Sequence, residues 1–412
     1  MRSVEGSPYS HLTGTSWYYR SIVAGAEQLR RWDMPNVANT KPPVLVVVQL
    51  SGGNDFMNTV VPYNEPRYYD YRPALSVQPD SLIPIDADIA FHSNVSPLKE
   101  FWDAGKLAIV QGVGYPNSSR SHFRSMYIWH TCEPDRISTE GWLGMAVREF
   151  DPAKENVLTA VNFGRGLPQA LVSKGVPVTS VSDLDNYGLM TGISSDDERY
   201  TALARFKEMY APAVGTGPVM EYLAETGLGV LDGAEIIKQA PLMYRSDVEY
   251  AGNEIAQGLR DVARVHLADL GTRIFYTVQN NYDTHSNQNP THDNLIADLA
   301  KAIADFFQDL EDHDAADNVT MLVFTEFGRR VADNGSGTDH GSGGGAFIIG
   351  NNVNGGLYGE YPSLDPLDLV DGEDLKHTYD YRGMYSSMLE QWMGLDPVPI
   401  VGGSFEQLPV LS

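Results

Sequence analysis

Acidic and histidine side chains stand directly after four short apolar runs in this chain of 412 residues. The runs are 44–50, 107–113, 274–278 and 319–324, and the polar groups that follow them are Asp55, then Arg120, Ser121 and His122, then Asp283 and His285, and then Glu326, Asp339 and His340. Carboxylates and imidazoles are ligands of divalent metal ions. Two such ions would form a hydrolytic site, and a serine within reach of them could act as a nucleophile.

The apolar runs predict the elements that position these side chains. Runs such as VLVVVQL at 44–50 are rich in β-branched residues and are typical of strands buried on both faces of a parallel sheet. Helical spacing of apolar residues at 94–104 and 295–310 predicts helices between the strands. The fold class is therefore α/β, a mostly parallel central sheet flanked by helices on both faces. Since parallel strands end at one edge, the four polar groups are predicted to converge there.

Other segments carry weaker patterns. Residues 346–349 predict one more buried strand after a glycine-rich loop, and 157–161 and 169–172 predict two further strands. A mainly helical insertion is predicted at about 185–270, and a last helix at about 382–393. Residues 1–40 have no clear period, and we interpret them as an N-terminal arm or the remnant of a leader. The domain prediction is therefore an arm followed by one α/β domain, 41–412.

Composition and charge limit the classes of function. The hydrophobic fraction of 42% is typical of a globular protein, and the net charge is -25. Such a field repels nucleic acid and anionic membranes, so neither is an expected partner. No apolar run reaches the length of a membrane span. The single cysteine, Cys132, excludes an intramolecular disulfide, and no clear signal peptide is visible, which leaves the compartment open.

Several segments together resemble a known protein family. They are GGNDFMNTVVPY at 52–63, YYDYRP at 68–73, GKLAIVQGVGYPNSSRSHF at 105–123, YDTHSNQ at 282–288, TEFGRRVADNGSGTDHG at 325–341 and DYRGMYSSMLEQW at 380–392. The chain is similar to the family named domain of unknown function 1501, a sulfatase-like branch of the alkaline phosphatase superfamily. The resemblance implies an alkaline-phosphatase-like fold and a divalent metal ion (Zn, Mn, Mg or Ca). It also implies a periplasmic or secreted location, although family members often carry a twin-arginine leader that this sequence does not show.

The resemblance implies a ligand set at matching positions. Asp55 corresponds to the metal-binding aspartate after the first strand, and Asp283 with His285 or His292 corresponds to a later pair. Where the superfamily has an Asp-His pair this chain has Glu326 followed by Phe327, so a second metal ion is in doubt. The later histidine is matched by His340, with Asp339 beside it.

The resemblance also implies catalytic roles. The nucleophile is expected after the second strand, where Ser121 is favoured over Ser118 and Ser119, with His122 as general acid or outer ligand. Arg120 and Arg329 are predicted to hold the oxygens of an anionic substrate, because a guanidinium forms a bidentate fork.

Two functions from different classes follow. The first is a metal-dependent hydrolase of phosphate or sulfate esters that acts on a small anionic ester. The alternative is a non-catalytic exported binding or surface-assembly protein with the same fold, which the phenylalanine at position 327 favours. No G-x-G-x-x-G segment follows a strand, which argues against a dinucleotide-dependent oxidoreductase. The sequence does not specify the ester, the metal or the oligomeric state.

Overall fold

A computed structural model describes residues 41–185, 187, 195–210, 217, 233–234 and 236–411. The predicted arm at 1–40 and part of the predicted helical insertion lie outside these residues. In the unit Pro42–Ser412, the described strands are β1 (Val44–Leu50), β2 (Val60–Val61), β3 (Leu82–Pro84), β4 (Ala90–His92), β5 (Leu107–Gly114), β6 (Ala160–Phe163), β7 (Thr179–Val181), β8 (Ile274–Gln279), β9 (Val319–Thr325), β10 (Gly344–Gly350), β11 (Gly356–Tyr358) and β12 (Tyr379–Asp380).

Nine of the described strands form the central sheet. Their order is β11-β5-β10-β9-β1-β8-β6-β7, and β12 pairs with the end of β5. Among these strands only β10 runs antiparallel to its neighbours, β9 and β5, so β5 points the same way as β1, β8 and β9. The predicted mostly parallel sheet is confirmed. The carboxyl ends of these four strands share one edge of the sheet.

Helices cover both faces of this sheet. They are α1 (Phe56–Thr59), α2 (Pro66–Tyr71), α3 (Pro97–Asp103), α4 (His122–Thr131), α5 (Trp142–Phe150), α6 (Asp196–Tyr210), α7 (Gln239–Met243), α8 (Glu254–Leu267), α9 (Gln288–Asp312), α10 (Tyr381–Ser387) and α11 (Val398–Val401). Alternate residues of β1 point to opposite faces. Val46 packs in the cluster that contains apolar residues of α3, α8 and α9, whereas Val47 packs in the cluster that contains those of α4, α5, α10 and α11.

A small second sheet lies beside the first. It has the order β2-β4-β3 and is antiparallel. A third apolar cluster includes Met57, Tyr68 and Val331, and so joins α1 and α2 to the segment that follows β9. This packing fixes the end of α2, where Arg72 enters the interior.

Three short segments differ from their predictions. Residues Gln169–Leu171 form a 3₁₀ turn instead of the predicted strand. The four apolar or neutral residues after Pro168 are too few for their pattern to distinguish a strand from a helical turn. The strand predicted at 157–161 begins at Ala160, because Asn156 holds a turn by accepting from the amide of Leu158. The last helix is divided into α10 and a π-helical turn, Met388–Trp392.

Candidate metal centre

Three histidines converge on the carboxylate of Asp283 at the shared strand edge. Nε2 of His340 and Nε2 of His285 lie 2.9 Å and 3.1 Å from its Oδ1, and Nε2 of His122 lies 3.4 Å from its Oδ2. His122 begins α4 after β5, Asp283 and His285 follow β8, and His340 precedes β10. The structure thus brings together four of the residues singled out in the sequence, from three separate loops.

The opposite ring nitrogen of each histidine faces an oxygen. Nδ1 of His122 lies 2.9 Å from Oε1 of Glu326, and Nδ1 of His285 lies 2.9 Å from Oδ1 of Asp339. The carbonyl oxygen of Arg120 lies 2.8 Å from Nδ1 of His340. A carboxylate or carbonyl oxygen accepts a hydrogen bond from the Nδ1–H group, and the neutral ring then has its lone pair at Nε2. Histidine ligands of metals are commonly held in this way.

This donor set fits a divalent cation. Nε2 of His285 and Nε2 of His340 lie 2.9 Å apart, and two nitrogen lone pairs at that distance repel unless a proton or a cation stands between them. One ligand atom each from His122, Asp283 and His340 lies within 4.8 Å of the others. Ligand atoms around a tetrahedral zinc ion are separated by about 3.3 Å, since the bonds are about 2.0–2.1 Å long. The residues present could therefore hold such an ion.

The charges at the centre favour an ionised carboxylate. Burial opposes the charge of Asp283, but its contacts with His340 and Arg329 outweigh burial and lower the pKa of Asp283 to about 2. The hydrogen bond to Glu326 raises the pKa of His122. The side chain of Asp283 is 45% exposed and that of His122 is 33% exposed. The centre is therefore open to solvent, as a site that admits a substrate must be.

Glycines allow the loops to approach each other closely. Gly52 has a φ of +122°, and a Cβ there would overlap the amide nitrogen of Asp283. Its own amide donates to Oε1 of Glu326 at 2.9 Å. The loops after β1, β8 and β9 are therefore in close contact, and a side chain at position 52 would separate them.

Arg329 joins these loops from inside the protein. Its side chain is fully buried, and its guanidinium donates to the carbonyl oxygens of Gly53 and Thr338 at 2.8 Å, of Tyr282 at 2.7 Å and of Gly52. It also donates to Oδ1 of Asp283 at 2.9 Å. The geometry therefore gives Arg329 a positioning role, and its predicted use as an anion clamp does not match this placement.

Arg120 has acidic partners of its own. Its Nε donates to Oδ2 of Asp374 at 2.8 Å, and Asp371 and Glu373 lie within 3.5 Å and 3.8 Å of its guanidinium. The side chain is thus paired with the 371–374 loop. The contribution of Arg120 to the centre comes through its backbone carbonyl, which orients His340.

Ser121 is exposed and precedes His122 at the start of α4. It takes the N-cap position, yet its hydroxyl does not cap the helix. Of its two competitors, Ser119 accepts from the amide of Ser121 at 3.3 Å, and the hydroxyl of Ser118 is buried without a partner in the described structure. Of the three serines, Ser121 is thus the one that is exposed and directly precedes His122 in the chain.

Asp55 and His292 lie apart from this cluster. Asp55 is buried and pairs with Arg72 at 2.5 Å, and it accepts from Gln288 at 2.5 Å. Burial alone would raise the pKa of Asp55, but the charge of Arg72 holds it below its usual value. Burial also lowers the pKa of His292 to about 4, so this ring is neutral, 3.0 Å from the amide oxygen of Asn54. Of the predicted metal ligands, Asp55 thus forms a buried salt bridge with Arg72, and His292 lies beside it as a neutral ring.

Two residues at the site were not singled out as functional from the sequence. Arg72 supplies the charge that compensates Asp55, and its only signal was an arginine inside the aromatic segment YYDYRP. Phe327 is buried, and its ring packs against His122 and His340 with centroids 5.0 Å and 4.8 Å apart. In place of a metal ligand, position 327 thus provides an apolar support for two of the imidazoles.

The sequence profile of a protein family described as a protein of unknown function (DUF1501) matches residues 111–401. This match covers most of the chain and includes every residue of the cluster. The chain therefore belongs to the DUF1501 family. No curated protein sequence matches it.

The solved structures to which this chain is similar have low sequence identity to it and low TM-scores. The PsFucS1 sulfatase from Pseudoalteromonas sp. is 9% identical, with 97% of this chain and 75% of that chain covered and a TM-score of 0.38. A protein in the alkaline phosphatase superfamily from Vibrio parahaemolyticus is 12% identical, with 88% and 69% covered and a TM-score of 0.36. The alkaline phosphatase from the Antarctic bacterium TAB5 is 12% identical, with 77% and 95% covered and a TM-score of 0.32.

None of the described helices has the length and apolar character needed to cross a membrane.

Proposed function

We propose that this protein is a metal-dependent hydrolase of phosphate or sulfate esters with a single cation at Asp283. The observation that carries the proposal is the convergence of three imidazole Nε2 atoms on this one carboxylate, each ring held at Nδ1 by an oxygen. Two imidazoles and one carboxylate within reach of one ion, with a third imidazole beside them, favour zinc or another first-row transition metal over Mg²⁺ or Ca²⁺. The choice of ester comes from the resemblance of the sequence to the alkaline phosphatase superfamily.

The exposure of the ligands supports catalysis over a purely structural role. Structural zinc sites are closed by four protein ligands, whereas catalytic sites keep a position for water or substrate. Here the side chains of Asp283 and His122 are 45% and 33% exposed. A divalent cation at this place would act as a Lewis acid on an ester oxygen and would attract an anion to a protein of charge -25.

The chain's own residues would have distinct roles. His122, His340 and Asp283 would hold the cation and leave a position for water or substrate. His285 lies beside His340, Glu326 orients His122, and Asp339 orients His285. Ser121 is the proposed nucleophile, because the residue is exposed and directly precedes His122 in the chain. Arg329 donates a hydrogen bond to Asp283 from the protein interior and so fixes the position of its carboxylate.

One observation favours the alternative, a cation-dependent binding protein without turnover. Both arginines predicted to bind the anion have other partners, Arg120 in the 371–374 loop and Arg329 among backbone carbonyls. A hydrolase of this kind would therefore depend on the cation alone for much of the stabilisation of a negatively charged transition state. The alternative predicts binding of an anionic ester and no product.

The test uses the full chain, stripped with a chelator and reconstituted with Zn²⁺ or Mn²⁺. Activity is measured on 4-nitrophenyl phosphate and 4-nitrophenyl sulfate, and metal content by elemental analysis. Asp283→Asn should lose both the cation and the activity. Ser121→Ala should keep the cation and lose about 10³-fold or more in kcat, as expected when a nucleophile is removed. Asp365→Asn changes an exposed acid that pairs with Arg67 and is the matched control.

The outcomes separate the two functions. Turnover that requires the cation and falls with both variants supports the hydrolase. A cation that binds with one equivalent but gives no product from either ester supports the binding protein. Full activity in Ser121→Ala would exclude that serine as the nucleophile and make Ser118 the next position to change.

A further inference from the structure

A tight turn before β12 holds the carboxylate of Asp374 in a fixed and buried place. The amides of Glu373 and Asp374 donate to the carbonyl of Val370 at 3.1 Å and 3.0 Å, and the amide of Val370 donates back to Asp374 at 2.9 Å. Asp371 and Gly372 have φ angles of +55° and +74°, as the two central residues of a reversing turn require. The side chain of Asp374 is only 3% exposed.

Two arginines share this carboxylate. Nε of Arg120 donates to Oδ2 of Asp374 at 2.8 Å, and Nε of Arg330 lies 3.9 Å from its Oδ1. Glu373 also faces both guanidiniums, at 3.8 Å and 3.0 Å, but its side chain is 47% exposed, so solvent screens its charge. Asp374 is therefore the stronger of the two anchors.

Each of these arginines leads to a different imidazole of the metal centre. The carbonyl oxygen of Arg120 faces Nδ1 of His340 at 2.8 Å. Nη1 of Arg330 lies 3.7 Å from Oδ2 of Asp339, whose Oδ1 faces Nδ1 of His285 at 2.9 Å. An imidazole keeps its lone pair at Nε2 only while Nδ1 holds the proton, and the oxygen at Nδ1 decides this.

The carbonyl of Arg120 depends on its own side chain for support. Arg120 lies at 115–121, between β5 and α4, where the chain is neither helix nor strand. No helical or sheet hydrogen-bond ladder therefore fixes this carbonyl. The ion pair with Asp374 ties the segment to the turn, and an antiparallel bridge between Arg330 and Asp374 attaches the turn to the segment after β9.

We propose that Asp374 is a positioning residue of the metal centre. By holding Arg120 and Arg330 it keeps the oxygens at Nδ1 of His340 and His285 in place, so that both rings present Nε2 to Asp283. Asp374 acts only through the two arginines. This role deepens the proposed function and rests on it for the cation, whereas the orientation of the rings requires no turnover.

The experiment compares Asp374→Asn with Asp261→Asn in the full chain. Asparagine keeps the shape of the side chain and removes the charge that both arginines pair with. Asp261 is the matched control, because its side chain is 15% exposed and also lies between two arginines, 3.0 Å from Arg264 and 3.9 Å from Arg260. It belongs to α8, which carries none of the proposed ligands.

Two readouts report the orientation of the rings without turnover. In metal-free protein with ¹⁵N-labelled histidine, a fixed tautomer gives two separate nitrogen signals per ring, and exchange between tautomers draws them together. In Asp374→Asn the two signals of His340, and those of His285, should approach each other, while those of the buried His130 stay unchanged. In cobalt-loaded protein the visible spectrum should change, and cation affinity should fall about tenfold, as for loss of an outer partner.

Changes in Asp374→Asn that are absent from Asp261→Asn support the proposal. Unchanged ring signals or wild-type cation affinity in a folded Asp374→Asn overturn it, and so do equal changes in Asp261→Asn. If Asp374→Asn fails to fold, Arg120→Gln removes the same ion pair from a side chain that is 34% exposed, and unchanged His340 signals there overturn the proposal. Cation-dependent hydrolysis with unchanged ring signals would refute this inference alone, whereas altered ring signals without hydrolysis would refute only the proposed function.

Discussion

The carboxylate of Asp55 lies 2.5 Å from the guanidinium of Arg72, and neither side chain is more than 1% exposed. The Asp55 carboxylate is thus neutralised by a residue of the chain itself. Among the described residues, the proposed cation site is therefore the cluster around Asp283, where three imidazoles face one carboxylate. We therefore expect one divalent ion per chain at saturation.

The first prediction tests this pairing with Asp55→Asn. The variant should keep one cation per chain, measured by elemental analysis. It should lose about 3–5 kcal/mol of unfolding free energy, because Arg72 is left buried without its partner. Asp365→Asn, which breaks an exposed pair, should cost about 1 kcal/mol or less. Two ions in the wild type and one in Asp55→Asn would contradict the prediction and place Asp55 among the ligands.

The second prediction concerns Glu326, which orients His122 from behind. Glu326→Gln keeps the shape of the side chain and removes its charge. Loss of such an outer partner should weaken cation affinity about 10- to 100-fold, measured by competition with a chromophoric chelator. In the metal-free protein the pKa of His122 should fall, because its largest raising influence is this hydrogen bond. Glu311→Gln, which changes an exposed acid paired with Lys106, is the control. Equal affinity in the two variants would argue against a role for Glu326.

The third prediction separates two roles for Arg329. If Arg329 holds the loops together, Arg329→Lys should lower the unfolding free energy by about 2–4 kcal/mol, since several buried carbonyls lose their donors. Cation affinity should fall with it, because Asp283 is no longer fixed. Urea unfolding and cation titration measure both quantities. A stable variant with normal cation affinity and only a raised KM would restore the anion-clamp role.

The fourth prediction concerns acid stability and a buried histidine outside the ligand set. The Nε2 atom of His130 lies 3.1 Å from the side chains of Gln49 and Tyr276. Burial lowers the pKa of His130 from 6.5 to about 3. Between these two pH values the unfolded chain binds a proton that the folded chain excludes, so stability falls as the pH is lowered.

The expected size is about 1.4 kcal/mol per pH unit for this one proton. Urea unfolding at pH 7, 6 and 5 should therefore show a shallower loss in His130→Gln than in the wild type. The difference between the two slopes removes the contribution of the other histidines. Parallel slopes would mean that His130 takes up a proton in the folded state.

Much of the fold was predictable because the central strands carry a strong local signal. Runs such as VLVVVQL and VTMLVF have few alternatives to a buried strand, and parallel strands place their ends together. The antiparallel direction of β10 was not visible, since an apolar run has no direction. The predicted convergence of the strand ends does not depend on it. Because β10 is antiparallel to both β9 and β5, β5 has the same direction as β9 and β1.

Individual partners at the site were harder to predict than the site itself. The type and spacing of His122, Asp283, His285 and His340 were enough to single them out as ligands or neighbours. The sequence could not show that Arg72 would reach Asp55, or that Arg329 would point inward, because the direction of a long side chain is fixed by packing from distant segments. An arginine beside predicted ligands is therefore weak evidence for anion binding.

The position of β1 has a consequence for how this protein is made. β1 is the first described strand of the sheet in sequence, yet it pairs on one side with β8 and on the other with β9, and Leu45 lies opposite both Ile274 and Thr320. On the ribosome, the segment VLVVVQL has no neighbour until synthesis has passed Gln279, and its second neighbour is complete only after Thr325. Contacts between such distant segments form slowly, and an unpaired apolar strand is prone to aggregate in the meantime. We therefore expect the nascent chain to depend on chaperones until the centre of the sheet can close.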